Sequence, residues 1–169
     1  VGWLCALASG ADVLIAWRFG ASPALAAYLF LGALGSVLAV LDVSTRRLPN
    51  RVVLPSYPIA MLLLGGASYI AGSWWALARA GIGMVVLGGF FLGLAVVFPG
   101  QLGFGDVKLA GLLGLYLAYL GASEVVTGIV VAWCTAALAL AVGRLLHRRG
   151  SLPLAPFLVL GTLLAILTA

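Results

Sequence analysis

Apolar runs, most of them near the length that spans a bilayer, follow one another along almost the whole chain. They fall at 1–17, 23–41, 52–71, 80–99, 107–121, 125–143 and 152–169, each separated from the next by a polar or Gly/Pro break. A helix needs about 20 apolar residues to cross ~30 Å of hydrocarbon, and within lipid only a helix or a closed barrel satisfies its own backbone. The runs therefore predict an all-α, polytopic membrane bundle of six to seven transmembrane helices. Composition agrees, with 64% hydrophobic and 8% charged residues, where a soluble domain carries about 25% charged. No Pro/Ser-rich linker or run of charge interrupts the sequence, so residues 1–169 are expected to form a single transmembrane domain. Pro23, Pro55 and Pro153 fall near the starts of runs, where a missing N–H costs little.

The formal net charge of +5 does not point to nucleic acid, because the nine basic residues sit between the apolar runs. They read as topology signals. Alternating the loops puts Arg46, Arg47, Arg51, Lys108, Arg144, Arg148 and Arg149 on one side, and Arg18, Arg79 and the acid Glu124 on the other. By the positive-inside rule the first set faces the cytoplasm, the N-terminus starts inside and the C-terminus ends outside. Arg46, Arg47 and Arg51 suit topology and contacts with anionic lipid better than substrate binding. The Ser-Trp-Trp at 73–75 has the character of an interfacial anchor. Cys5 and Cys134 each lie inside an apolar run without a C-x-x-C partner, so they are expected to be buried, inert thiols. His147 has no ligand-spaced partner, and neither a metal nor a cofactor is expected. The sequence begins at Val1 rather than Met, which leaves open whether an N-terminal piece is missing, and its first segment lacks the basic n-region of a signal peptide.

Against this background the four acids stand out: Asp12, Asp42, Asp106 and Glu124. Asp42 ends the second run and Asp106 begins the fifth, so both belong at the cytoplasmic ends of their helices. From Leu109 to Ser123 the fifth segment extends about 22 Å at 1.5 Å per residue, short of the hydrocarbon core, which draws Asp106 some way into the membrane. An ionisable group there is a functional candidate by default. Two carboxyl groups sharing a site keep one proton between them. The ionised member can then activate water while the protonated one hydrogen-bonds a scissile carbonyl. Gly103 and Gly105 would let an extended substrate backbone approach the acid closely. The residues alone leave other accounts open. Asp106 can simply cap a helix, and Asp42 can be a solvated loop residue balanced by Arg46 and Arg47. A small proton- or cation-coupled transporter would also use paired aspartates, although transport sites tend to lie at the midplane. A structural assembly subunit would need neither. Asp12 lies within an apolar run on the wrong side for the pair, where a polar contact in the outer half is expected.

The surroundings of the two aspartates are more specific. Asp42 begins "DVSTRRLPN", which ends in Pro49 and Asn50, and "GFGDVKLAGLLGLYLA" carries Gly103, Gly105, Asp106 and Lys108. Together they resemble the type IV prepilin peptidases, membrane aspartyl proteases of the G-x-G-D class. The likeness runs from about residue 23 to 169. It includes the closing "LPLAPFLVLG", which departs from the family in having Leu154 and Ala155 where a Phe-Gly pair is common. Presenilin-like proteases share G-x-G-D but lack the Pro-Asn pair and fit less well. The resemblance implies that Asp42 and Asp106 are catalytic, with Pro49, Asn50, Gly103, Gly105 and Lys108 as substrate-binding or supporting residues. Lys108 is equally well explained as a snorkelling lysine near a helix end. The resemblance further implies cleavage of a short basic leader from prepilins or pseudopilins at the cytoplasmic face of a prokaryotic cell membrane, typically after a glycine. Lipid is then the other expected partner, and self-association is open. Without the paired C-x-x-C motifs of bifunctional members, the chain looks like a peptidase-only form, or a peptidase half of something longer.

Helix ends suggest how the pair would share its proton. Asp42 follows a helix whose C-terminal carbonyls are partly negative, and Asp106 precedes one whose N-terminal N–H groups are partly positive. Asp106 is therefore expected to be the ionised base and Asp42 the protonated acid.

Overall fold

The computed structural model describes residues 2–45, 48–99, 102–145 and 154–169. Seven helices account for nearly all of them: α1 (Gly2–Phe19), α2 (Leu25–Thr45), α3 (Asn50–Ala71), α4 (Trp74–Val97), α5 (Phe104–Leu120), α6 (Ala122–Leu145) and α7 (Ala155–Thr168). The chain is an all-helical polytopic bundle. Helices α2, α3, α4 and α6 are long and apolar enough to cross a membrane. Helix boundaries differ from the apolar runs where polar residues were absorbed into helices. Helix α2 continues past Asp42 to Thr45, α4 begins at Trp74 and so includes Arg79, and α5 begins at Phe104 and includes Asp106.

The bundle is organised around α5. Every residue from Leu109 to Tyr119 is buried, the signature of a helix apolar on all sides and surrounded by protein. Its neighbours are α4, α6, α7 and α3, and α2 reaches it through Tyr28, whose hydroxyl donates to the Tyr116 carbonyl at 2.9 Å. The small residues of "GLLGLYLAYLG" permitted a close helix contact without naming the partner; the partner is α4. A Cβ on Gly114 would stand 2.5 Å from the Gly83 carbonyl oxygen, and one on Gly88 would stand 3.3 Å from the Cα of Gly111. The two backbones touch, as glycine pairs allow helices to do in lipid. Helices α6 and α7 meet in the same way, since a Cβ on Gly161 would lie 2.5 Å from the Gly128 carbonyl oxygen.

Helix α5 has 17 residues, about 25 Å of helix, and cannot reach both membrane surfaces. Its last carbonyls have no partner within the helix and little access to water. Arg79 supplies one. Nε donates to the Ala118 carbonyl at 2.6 Å, and Nη2 donates to those of Tyr119 and Leu120, each at 2.7 Å. The sequence reading placed Arg79 in a loop as a topology signal; it lies inside α4 and caps its neighbour. Trp74 and Trp75 open α4 as exposed rings, with Tyr69 of α3 edge-on to Trp74 at 6.4 Å, consistent with an interfacial belt. The expectation of buried thiols fails at Cys134, which is exposed on the outer face of α6.

Replacing Arg79 by Met removes three charge-assisted hydrogen bonds to the last carbonyls of α5. Hydrogen bonds to a charged group contribute about 1.5–3 kcal/mol, and Arg79→Met should destabilise the bundle by at least that much in reversible unfolding in detergent. Arg79→Lys should recover only part of the loss, because an ammonium lacks the planar fork that reaches three acceptors. Equal stability of Arg79→Met and the parent chain would show that the cap contributes nothing.

Candidate active site

Asp42 is not a solvated loop residue. It lies one turn before the end of α2 and is 6% exposed. A buried carboxyl needs hydrogen-bond donors, and one comes from the far end of the sequence: the backbone N–H of Ala155 donates to Asp42 Oδ2 at 3.0 Å. Ala155 opens α7, with Pro156 immediately after it, so this N–H is one of the first-turn donors that the helix itself leaves unpaired. The departure of residues 154 and 155 from the common Phe-Gly pair leaves the contact intact, because the main chain makes it. Arg46 and Arg47, expected to balance Asp42, lie outside the described residues, as does His147.

Asp106 is the third residue of α5, after the N-cap Gly103 in extended conformation (φ −76°, ψ 141°). Its carboxyl folds back over Gly103: Oδ2 lies 3.4 Å from where a Cβ on that glycine would be, and the Gly103 N–H is directed at the carboxyl. This is the reach of an acid at the third helical position toward the N-cap amide. The capping account of Asp106 is therefore correct in part, and it coexists with the second feature. Asp42 is close enough for the Asp106 carboxyl to feel its charge. The bundle has brought the C-terminal end of α2 and the N-terminal ends of α5 and α7 to one place, and both carboxyl groups are there.

The expectation that Asp106 is the ionised member rests on Asp42 meeting only the carbonyls of its own helix, whereas the Asp42 carboxyl also faces the N-terminus of α7 through Ala155. Each aspartate meets a helix N-terminus, so helix ends do not distinguish them.

The motif residues around the pair also meet. Asn50 is the first residue of α3, with Pro49 as its N-cap, and Lys108 Nζ donates to Asn50 Oδ1 at 2.8 Å. Lys108 thus bridges the Pro-Asn motif to the G-x-G-D motif rather than extending freely to the membrane surface. Gly105 has a different use from the one expected. A Cβ there would fall 2.7 Å from Leu48 Cβ, so its missing side chain admits the segment just before Pro49 and is not free for a substrate backbone. Gly103 is exposed, and a side chain there would meet nothing closer than the Asp106 carboxyl.

Asp12 is separate from this site. It packs against Gly32 of α2, with Oδ1 buried and without a hydrogen-bond partner. Gly32 is ten residues before Asp42, about 15 Å along the helix. Two contributors escaped the sequence reading: Ala155, which acts through its backbone, and Tyr57, whose hydroxyl donates to the Lys108 carbonyl at 2.6 Å. Pro156 marks a helix start and so hints at free N–H groups near 155, but nothing in the sequence says which side chain receives them.

A helical membrane bundle with two interacting carboxyl groups at one end, flanked by Pro-Asn and G-x-G-D-x-K, defines a narrow class of protein. The sequence pattern of the type IV leader peptidase family matches residues 28–168, and the chain belongs to that family. It is a multi-pass membrane peptidase of the type IV leader peptidase kind. Comparison with curated proteins and with solved structures yields no match.

Proposed function

We propose that this peptidase is an aspartic endopeptidase of the G-x-G-D type and that Asp42 and Asp106 are its catalytic pair. The observation that carries the reading is the convergence of the two carboxyl groups, one of them buried, from helices far apart in sequence. One ionised carboxylate takes a proton from water, and the resulting hydroxide adds to the scissile carbonyl while the protonated partner donates to its oxygen. Collapse of the tetrahedral intermediate breaks the C–N bond as a carboxyl group returns a proton to the leaving amine. No metal and no covalent intermediate enters this sequence of steps. The substrate is a prepilin or pseudopilin with a short basic leader, cut at the cytoplasmic face of a prokaryotic membrane. The excess of basic residues in the loops on the Asp42 and Asp106 side supports that orientation.

Asp42→Asn and Asp106→Asn should each lower leader cleavage by a factor on the order of 10²–10⁴, the usual worth of a general acid or base. Both should leave folding largely intact, since an amide oxygen can still accept from the Ala155 or Gly103 N–H. Cleavage by either purified variant at the parent rate would remove the pair from the mechanism. Orientation is tested separately by cysteine labelling in a chain lacking Cys5 and Cys134. Cysteines replacing Arg46 and Arg148 should react from the cytoplasmic side, and one replacing Ser73 from the opposite side. Labelling of Arg46→Cys and Arg148→Cys from different sides would contradict the proposed topology.

A further inference from the structure

The first two turns of α5 are fastened to α3 by three neighbouring contacts. Leu48, just before α3, fills the space left by Gly105, Asn50 accepts from Lys108, and Tyr57, two turns into α3, donates to the Lys108 carbonyl. The last contact is unusual in kind. In a regular helix the carbonyl of residue 108 meets the N–H of residue 112. The Tyr57 hydroxyl docks on that carbonyl, at that rung of the α5 ladder. Space for it comes from Gly111, where a Cβ would stand 2.6 Å from the hydroxyl oxygen. This rung comes just after the turn that carries Asp106.

We infer that Tyr57 is a positioning residue: by docking its hydroxyl on the Lys108 carbonyl beside Gly111, it sets the height and rotation of the first turn of α5 and so holds Asp106 opposite Asp42. The inference rests on the proposed catalytic pair and adds a residue outside both motifs. Asp42 is fixed independently, by Ala155 at the start of α7. The geometry of the pair then depends on α3 holding one member and α7 the other.

Loosening Asp106 relative to Asp42 has a consequence distinct from lost folding. Two coupled carboxyls titrate in two macroscopic steps, and their separation grows with the interaction between them. The singly protonated pair is the active form, so the width of the pH–rate bell reports how closely the carboxyls are held. Among the described residues, the titratable groups on the turns next to the pair are Lys108 of α5, tied to Asn50, and Arg51 and Tyr57 of α3. In α7 there is none, and in α4 the only one is Arg79 at the opposite end of α5.

The test uses the full chain in lipid nanodiscs with a single-span substrate carrying a basic leader and a glycine at the cut. Tyr57→Phe keeps the ring and removes the donor. It should lower kcat about tenfold per folded molecule, leave KM within about twofold, and narrow the bell by about half a pH unit or more. Gly111→Ala, which presses on the same oxygen, should lower kcat in the parent and add little in the Tyr57→Phe background, as expected for two changes acting at one contact. Unchanged kcat and bell width in Tyr57→Phe would overturn the inference. So would a rise in KM alone, which would make Tyr57 a substrate contact, or a loss matched by the loss of folded protein, which would make it merely structural. If the parent chain fails to cut, or if the Asp→Asn variants cut normally, the proposed function falls and this inference with it. A parent bell abolished by both Asp→Asn variants but unaltered by Tyr57→Phe refutes the inference alone.

Discussion

The architecture depends on a helix that is wrapped by protein and cannot reach both surfaces of the membrane. Inside a bilayer, backbone groups left over at a helix end have no water to turn to. Helix α5 is buried along its middle and is short, so both its ends must be completed by other parts of the chain. At one end Arg79 gathers three carbonyls. At the other, the Asp106 carboxyl returns to Gly103. Between them, glycine pairs let α4 approach until the backbones touch. The requirement that stabilises the helix is thus the same one that brings a carboxyl group into a protein-lined position.

The site grows out of this arrangement. Three helix ends converge, and each contributes what an end has to offer: a side chain carried on the last turn of α2, and free N–H groups from the first turns of α5 and α7. The two sequence motifs are joined physically by Lys108 and Asn50, which explains why residues so far apart in the chain occur together in one pattern. Gly105 serves the same junction by admitting Leu48. What looked like an opening for substrate is a joint between helices.

Much of this was legible in the sequence because it is written in local chemistry. Apolar runs bounded by Gly and Pro gave the helices, and the sparse charges singled out Asp42, Asp106 and Lys108. The parts that were not legible are those decided by a partner. Arg79 reads as a loop cation until a helix C-terminus is placed beside it. Asp42 takes its hydrogen-bond donor from α7, at the far end of the sequence, which its own neighbourhood in the chain does not announce. Tyr57 carries no signal at all, since a tyrosine in an apolar helix is commonplace and its acceptor belongs to the backbone of another segment. The repeated glycines of α5 announced a close contact, but their pattern is equally satisfied by any of several neighbours.

The hydrogen bond that holds Asp42 spans 113 positions in the sequence. A nascent chain entering the membrane in order of synthesis has completed α2 long before residue 155 exists, and α5 before it as well. Until α7 is inserted, Asp42 stands without the amide that fixes it, beside a second carboxyl and with apolar surface around it. The pair is therefore completed only after the helices that carry its two acids are already in place. Biogenesis and the readiness of the site are tied together by one backbone N–H.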